Sequence, residues 1–99
     1  MLIHTVIFWL KKDLTDDQRN IFTNEVRTLG EISSVESFHL GTPASTPKRP
    51  VIEDSYDLAI TVVMKDMDAH DHYQADPIHL EFIDKCKIMW ERVVIYDAD

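Results

Sequence analysis

Tyr73 and His79 are residue types able to do acid–base chemistry, and they stand either side of a helix boundary signalled by Asp76-Pro77. His79 recurs at helical spacing with Phe82, Ile83 and Cys86, so its imidazole belongs to the apolar stripe of a helix, close to its N-terminus. Desolvation and the positive helix end both oppose protonation there. Neutral imidazole is the form a general base requires. The same position equally suits a core histidine bonded to a backbone carbonyl or to Tyr73. Tyr73 could polarise a carbonyl oxygen through its hydroxyl, or pack under the second helix with that hydroxyl at the surface. His4 is isolated in an apolar strand, where the ordinary role is a hydrogen-bonded sheet histidine.

Other reactive residues point to less. His70, His72 and His79 lie among Asp68, Asp71 and Asp76, but His70 and His72 would diverge on a helix and no fixed ligand spacing is present. No metal and no cofactor are expected, and the acidic residues read as a solvated face. The single cysteine, Cys86, excludes an intrachain disulfide and reads as a small core hydrophobe. Lys48-Arg49 reads as a solvated loop tip, and two glycines are too few for a phosphate-binding loop.

The balance of 18 acidic against 10 basic residues gives a formal charge of -8, which repels a phosphate backbone, so nucleic acid is not an expected partner. Hydrophobic residues at 44% and charged residues at 28% fit a folded globular chain of one domain, residues 1–99. The apolar run from Leu2 to Leu10 is about half of the ~20 residues a membrane helix needs. Lys11 and Lys12 follow that run rather than precede it, unlike a secretory signal. No membrane partner and a cytoplasmic location are the expectations.

The elements that must position these groups follow from local signals. Leu2 to Leu10 is β-branched and aromatic, a central strand. Thr15 with Gln18 forms a capping box before a helix from about Asp16 to Leu29, carrying Ile21, Phe22, Val26 and Leu29 and stopped by a left-handed Gly30. Val35 to Leu40 is a weaker edge strand. Thr42 to Asp54 holds Pro43, Pro47 and Pro50 and is a long loop. Tyr56 to Met64 is a strand, 66–76 a short helical or turn segment, Pro77 onward a helix, and Trp90 to Tyr96 the last strand before the tail Asp97-Ala98-Asp99. This order is the split βαβ plan of an α+β fold, an antiparallel sheet with helices on one face.

Such a sheet ordinarily turns a polar face to water. Here Leu2, His4, Val6, Phe8 and Leu10 alternate with Ile3, Thr5, Ile7 and Trp9. Tyr56, Leu58, Ile60, Val62 and Met64 alternate with Ala59, Thr61 and Val63, and Trp90, Val94 and Tyr96 with Val93 and Ile95. Both faces are apolar and helices can cover only one, so the chain is expected to pair with itself, a homodimer through the open sheet face.

Three segments, His4 to Leu10, Tyr73 to His79 and Trp90 to Asp97, resemble the stress-responsive A/B barrel (Dabb) family across the whole chain. The resemblance implies a ferredoxin-like βαββαβ fold with a four-stranded antiparallel sheet, assembled as a dimeric α+β barrel. The chain is also similar to plant polyketide cyclases of that family, which use no cofactor. Their Tyr-x-x-His-Pro-x-His run implies Tyr73 and His79 as a catalytic pair, and a histidine of their first strand implies His4 as a binding residue. The first histidine of that run is Asp76 here, which preserves a helix cap while changing pocket polarity. The implied function is a cofactor-independent cyclase or lyase. The alternative is a non-enzymatic stress-response protein that binds a hydrophobic small molecule. A monooxygenase or isomerase of related barrels has no recognisable residues here.

Overall fold

The β-branched, aromatic N-terminal run forms strand β1, Leu2–Leu10, in a computed structural model that describes residues 1–99. Helix α1 spans Asp16–Thr28, β2 Val35–Gly41, β3 Leu58–Met64, α2 Met67–Ala75, α3 Pro77–Cys86 and β4 Trp90–Ala98. The strands pair antiparallel throughout, in the order β2-β3-β1-β4. β1 is therefore central and β2 an edge, the ferredoxin-like α+β arrangement expected.

Period-two alternation decides what each strand buries. Leu2, His4, Val6, Phe8 and Leu10 of β1 and Leu58, Ile60, Val62 and Met64 of β3 are all buried under the helices. From α1 come Phe22 and Val26, and from α3 come Phe82 and Cys86. Phe8 meets Phe22 edge-on with ring centroids 5.2 Å apart, and Phe82 and Trp90 close the cluster around it. Ile21, counted on the apolar stripe of α1, instead lies half exposed, because the buried row is Phe22, Val26 and Leu29.

The caps form as their residues dictate. The Thr15 hydroxyl accepts from the Gln18 backbone N–H at 3.1 Å, and the Gln18 side chain accepts from the Thr15 N–H at 2.8 Å. Asp57 ties the end of the long β2–β3 connection to the sheet. Its Oδ2 accepts from the Leu10 N–H at 2.7 Å, and its Oδ1 meets the Arg19 guanidinium of α1 at 3.3 Å.

Three local expectations are corrected. Gly30 is not left-handed: no residue has positive φ, and α1 instead runs into a 3-10 turn, Leu29–Glu31. Glycine is required there for space, since a Cβ would stand 3.0 Å from Cγ and 3.3 Å from Cβ of Phe38. The third strand starts at Leu58 rather than Tyr56, after Asp57 has bonded to Phe8. Trp90 shares the inner face with Val93 and Ile95, because the β1–β4 register shifts between Trp9 and Leu10 and reverses the alternation.

The other face of the sheet is left uncovered. It carries Ile3, Ile7, Trp9, Ala59, Val63, Val94 and Tyr96, with Tyr96 64% exposed. Arg92 lies over the Trp9 ring at 4.3 Å.

Gly30→Ala separates close packing from chain entropy. With an ordinary φ, alanine would normally stabilise by reducing the freedom of the unfolded chain. Phe38 cannot turn its own Cβ and Cγ away without moving β2, so overpacking dominates and a net loss of about 1 kcal/mol is expected. A urea midpoint that falls confirms it, and one that rises contradicts it.

Candidate functional site

A cavity of about 200 Å³ lies between the inner face of the sheet and helices α2 and α3. Phe8, Phe82 and Trp90 form its aromatic wall, and Val93 and Ile95 of β4 its outer side. β4 is an edge strand and Ile95 is 51% exposed, so the helices do not fully roof that side. The polar groups of an otherwise apolar lining are His4, Tyr73, Gln74 and His79.

Tyr73 and His79 reach this cavity because the helix breaks between them. On one continuous helix, at about 100° per residue, positions six apart would point roughly 120° away from each other. Asp76 prevents that by adopting an extended conformation, φ -63° and ψ 138°, and by serving as C-cap of α2 and N-cap of α3 together. Its carboxylate accepts from the Ile78 N–H at 2.9 Å, and Pro77 supplies the first-turn residue. The Tyr73 and His79 rings then meet edge to face, centroids 4.9 Å apart.

Their surroundings set their protonation. Tyr73 is 1% exposed, so its hydroxyl is not at the surface, and burial pushes the phenol above its ordinary range. His79 is pushed below the ordinary imidazole value, first by desolvation and then by the neighbouring His4 and His70, with Asp76 opposing. Its Nδ1 is buried without a hydrogen-bond partner, so that nitrogen bonds neither Tyr73 nor a carbonyl. A neutral imidazole and a protonated phenol thus border one mostly apolar space.

His4, 2% exposed, lines the same cavity, with its ring 5.6 Å from that of Tyr73. Its Nδ1 is 2.5 Å from Oδ1 of Asp97. The carboxylate was not legible as a site residue because Asp97 reads as part of a polar tail. β4 in fact continues to Ala98 and pairs Asp97 with His4. Carrying the alternation Val93, Ile95 one step further would have placed Asp97 on the inner face.

The remaining candidates separate. His70 turns inward, its ring 5.2 Å from that of His4, whereas His72 faces outward with Nε2 3.3 Å from the Ser33 hydroxyl. Cys86 is fully buried and burial raises its thiol to about 11, so it is an unreactive core residue. Lys48 is exposed in the β2–β3 connection, paired with Asp54 at 3.2 Å. No helix is long and apolar enough to cross a membrane.

A family model described as the Stress Responsive A/B Barrel Domain matches residues 2–99. Comparison with curated proteins gives no match. Among solved structures, the Arabidopsis thaliana protein At3g17210 superposes with a TM-score of 0.82 at 18% identity, covering 100% of this chain and 94% of that one. A hydroxynitrile lyase from Passiflora edulis gives 0.79 at 19% identity, over 98% of this chain and 90% of that one. A Thermobifida fusca protein described as dimeric and ferredoxin-like gives 0.78 at 18% identity, over 98% and 88%. At such identities the likeness carries the fold.

The depressed His79 predicts a pH response of known sign. Between the folded value and the ordinary value near 6.5 the unfolded chain binds more protons at this residue. Its contribution to stability is therefore present above about 6.5 and falls with acidification through that window. By proton NMR, the His79 ring should titrate below 6.5 and move back toward it in His4→Phe. An unshifted His79 in that variant would show that the two rings do not interact.

Proposed function

This chain belongs to the stress responsive A/B barrel domain family, and on that footing we propose that it is a homodimeric enzyme of cyclase or lyase type, acting on a small, mostly apolar carbonyl compound. The observation that carries this reading is the pairing of a neutral imidazole with a protonated phenol, rings 4.9 Å apart, at one cavity. His79 accepts a proton from the carbon next to the substrate carbonyl. Tyr73 donates a hydrogen bond to the oxygen on which negative charge then develops. The protonated His79 returns its proton at the end of the cycle, to product or leaving group, so the balance needs no cofactor. His4, held by Asp97, borders the same space and orients the substrate.

The cavity bounds the substrate. About 150 Å³ of apolar space accommodates a benzene ring, so 200 Å³ fits one ring with short substituents or an equivalent folded chain. A hydroxynitrile lyase with this fold is consistent with proton-transfer chemistry in such a cavity.

The dimer is supported by the uncovered face. A fully exposed aliphatic or aromatic side chain forgoes about 1.5 to 3 kcal/mol of burial, and several of them approach the roughly 5–15 kcal/mol stability of a small domain. Solved neighbours described as dimeric and ferredoxin-like agree. Face-to-face stacking of two copies covers both patches at once.

The mostly apolar lining favours a second reading, in which the cavity only binds a hydrophobic small molecule as part of a stress response. Turnover separates the two. Across a panel of small β-polyketones, His79→Ala should lower turnover by about 10²-fold or more, and Tyr73→Phe by about 10²–10³-fold. Saturable binding with no turnover by the unaltered protein would leave the binding reading alone. Turnover unchanged in His79→Ala would reject His79 as base.

Assembly is tested separately. Ile7 lies mid-face, between Ala59 and Val94. Sedimentation should report a dimer for the native chain and a folded monomer for Ile7→Lys. A native monomer at micromolar concentration would overturn the assembly.

A further inference from the structure

His4, His70 and Asp97 come from β1, α2 and β4, yet one ligand atom from each lies within 4.8 Å of the others. Two imidazoles and a carboxylate are the donor set preferred by late first-row divalent metals. Donors about 2.0–2.2 Å from such an ion stand roughly 3–3.5 Å from one another. The observed separations, 2.5 Å between His4 Nδ1 and Asp97 Oδ1 and up to 4.8 Å across the set, bracket that value. Side-chain adjustments of about an ångström would bring all three onto one ion.

A second observation concerns His70 itself. His70 Nδ1 is buried without a hydrogen-bond partner, and the nearest carboxylate oxygen, on Asp71, is 3.6 Å away, beyond bonding distance. Its other ring nitrogen contacts the Gln74 amide at 3.4 Å. Metal-bound histidines commonly hydrogen-bond a neighbouring group through the nitrogen that does not face the ion. Asp97 is exposed, which gives the site a path from solvent, while His4 is buried and His70 partly so. The formal charge of -8 favours a cation over the whole surface.

We propose that His4, His70 and Asp97 bind one divalent transition-metal ion of the zinc or cobalt class at the rim of the cavity. Neither Tyr73 nor His79 is a ligand, so the site does not require the acid–base reading, although it shares with it His4 and the Asp97 that holds His4. His4 belongs to both the cavity lining and the ligand set, so a bound ion would border the substrate space. The sequence conceals this set because its members stand 66 and 27 positions apart (70 − 4 and 97 − 70).

Cobalt(II) is the probe, titrated into the full chain and followed by its visible d–d absorption. A band saturating at one ion per chain and displaced by zinc is expected. His70→Ala and Asp97→Asn should each weaken it by at least about tenfold, while His72→Ala, altering an exposed histidine on the same helix, should leave it unchanged. Far-UV circular dichroism confirms folding, and His70→Gln replaces His70→Ala if the latter does not fold. Absence of a band, or equal affinity in the His70 and Asp97 variants, would overturn the site, as would an equal loss in His72→Ala. Cobalt binding is read without turnover, so its failure and a failure of the acid–base reading are distinguished.

Discussion

The constraint on which everything else rests is that β1 sits between two strands and supplies one inner row, His4, Val6, Phe8 and Leu10, that must be covered. Phe8 is the hinge of that row, in ring contact with Phe22 of α1, Phe82 of α3 and Trp90 at the start of β4. Such aromatic contacts fix orientation as well as burying area. With α3 seated on Phe8, its N-terminal turn is carried over the other end of β1, where His4 is. Core and cavity are consecutive stretches of a single strand, so the packing that stabilises the first also positions the second.

A cavity remains because β4 is incompletely roofed. Over β3 the inner row Leu58, Ile60, Val62 and Met64 is almost entirely enclosed, whereas over β4 Val93 is only partly buried and Ile95 half exposed. The space between is apolar, and that raises the free-energy cost of any charge placed in it. Tyr73 and His79 respond as that cost requires, the phenol holding its proton more tightly and the imidazole releasing its own more readily. His4 has a different solution, a carboxylate at its Nδ1. Three polar groups around one space are thus distinguished by partners and burial rather than by residue type alone.

Much of this was legible in the sequence where the signal was local. The Thr15–Gln18 capping box, the Asp76-Pro77 start of α3, the central β1 and the edge strand β2 follow from neighbouring residues, and the structure has them. Tyr73, His79 and His4 were legible as cavity residues only with the help of a family resemblance, since their meeting depends on how α2 and α3 are set against β1. What stayed hidden is what depends on register or on contact between distant segments. The shift between Trp9 and Leu10 moved Trp90 to the inner face against simple alternation. Gly30 carried a conformational expectation, but its actual role concerns Phe38, eight residues on and across a chain reversal. Asp97 was set apart as tail because nothing local extends β4 beyond Tyr96; its partner is the strand at the other end of the chain.

Asp76 shows how one residue can serve geometry and electrostatics together. As a double cap it breaks the helix, and the break brings residues 73 and 79 onto one cavity instead of roughly 120° apart. The same carboxylate opposes the depression of His79 that burial, His4 and His70 impose. Asn would keep the capping oxygen and lose the charge, and Ala would lose both, so the two contributions are separable by residue type. Asp76 therefore works against the larger lowering that burial imposes on the neighbouring imidazole, without reversing it. One carboxylate thus acts on the basicity of His79 and on the helix break that places it.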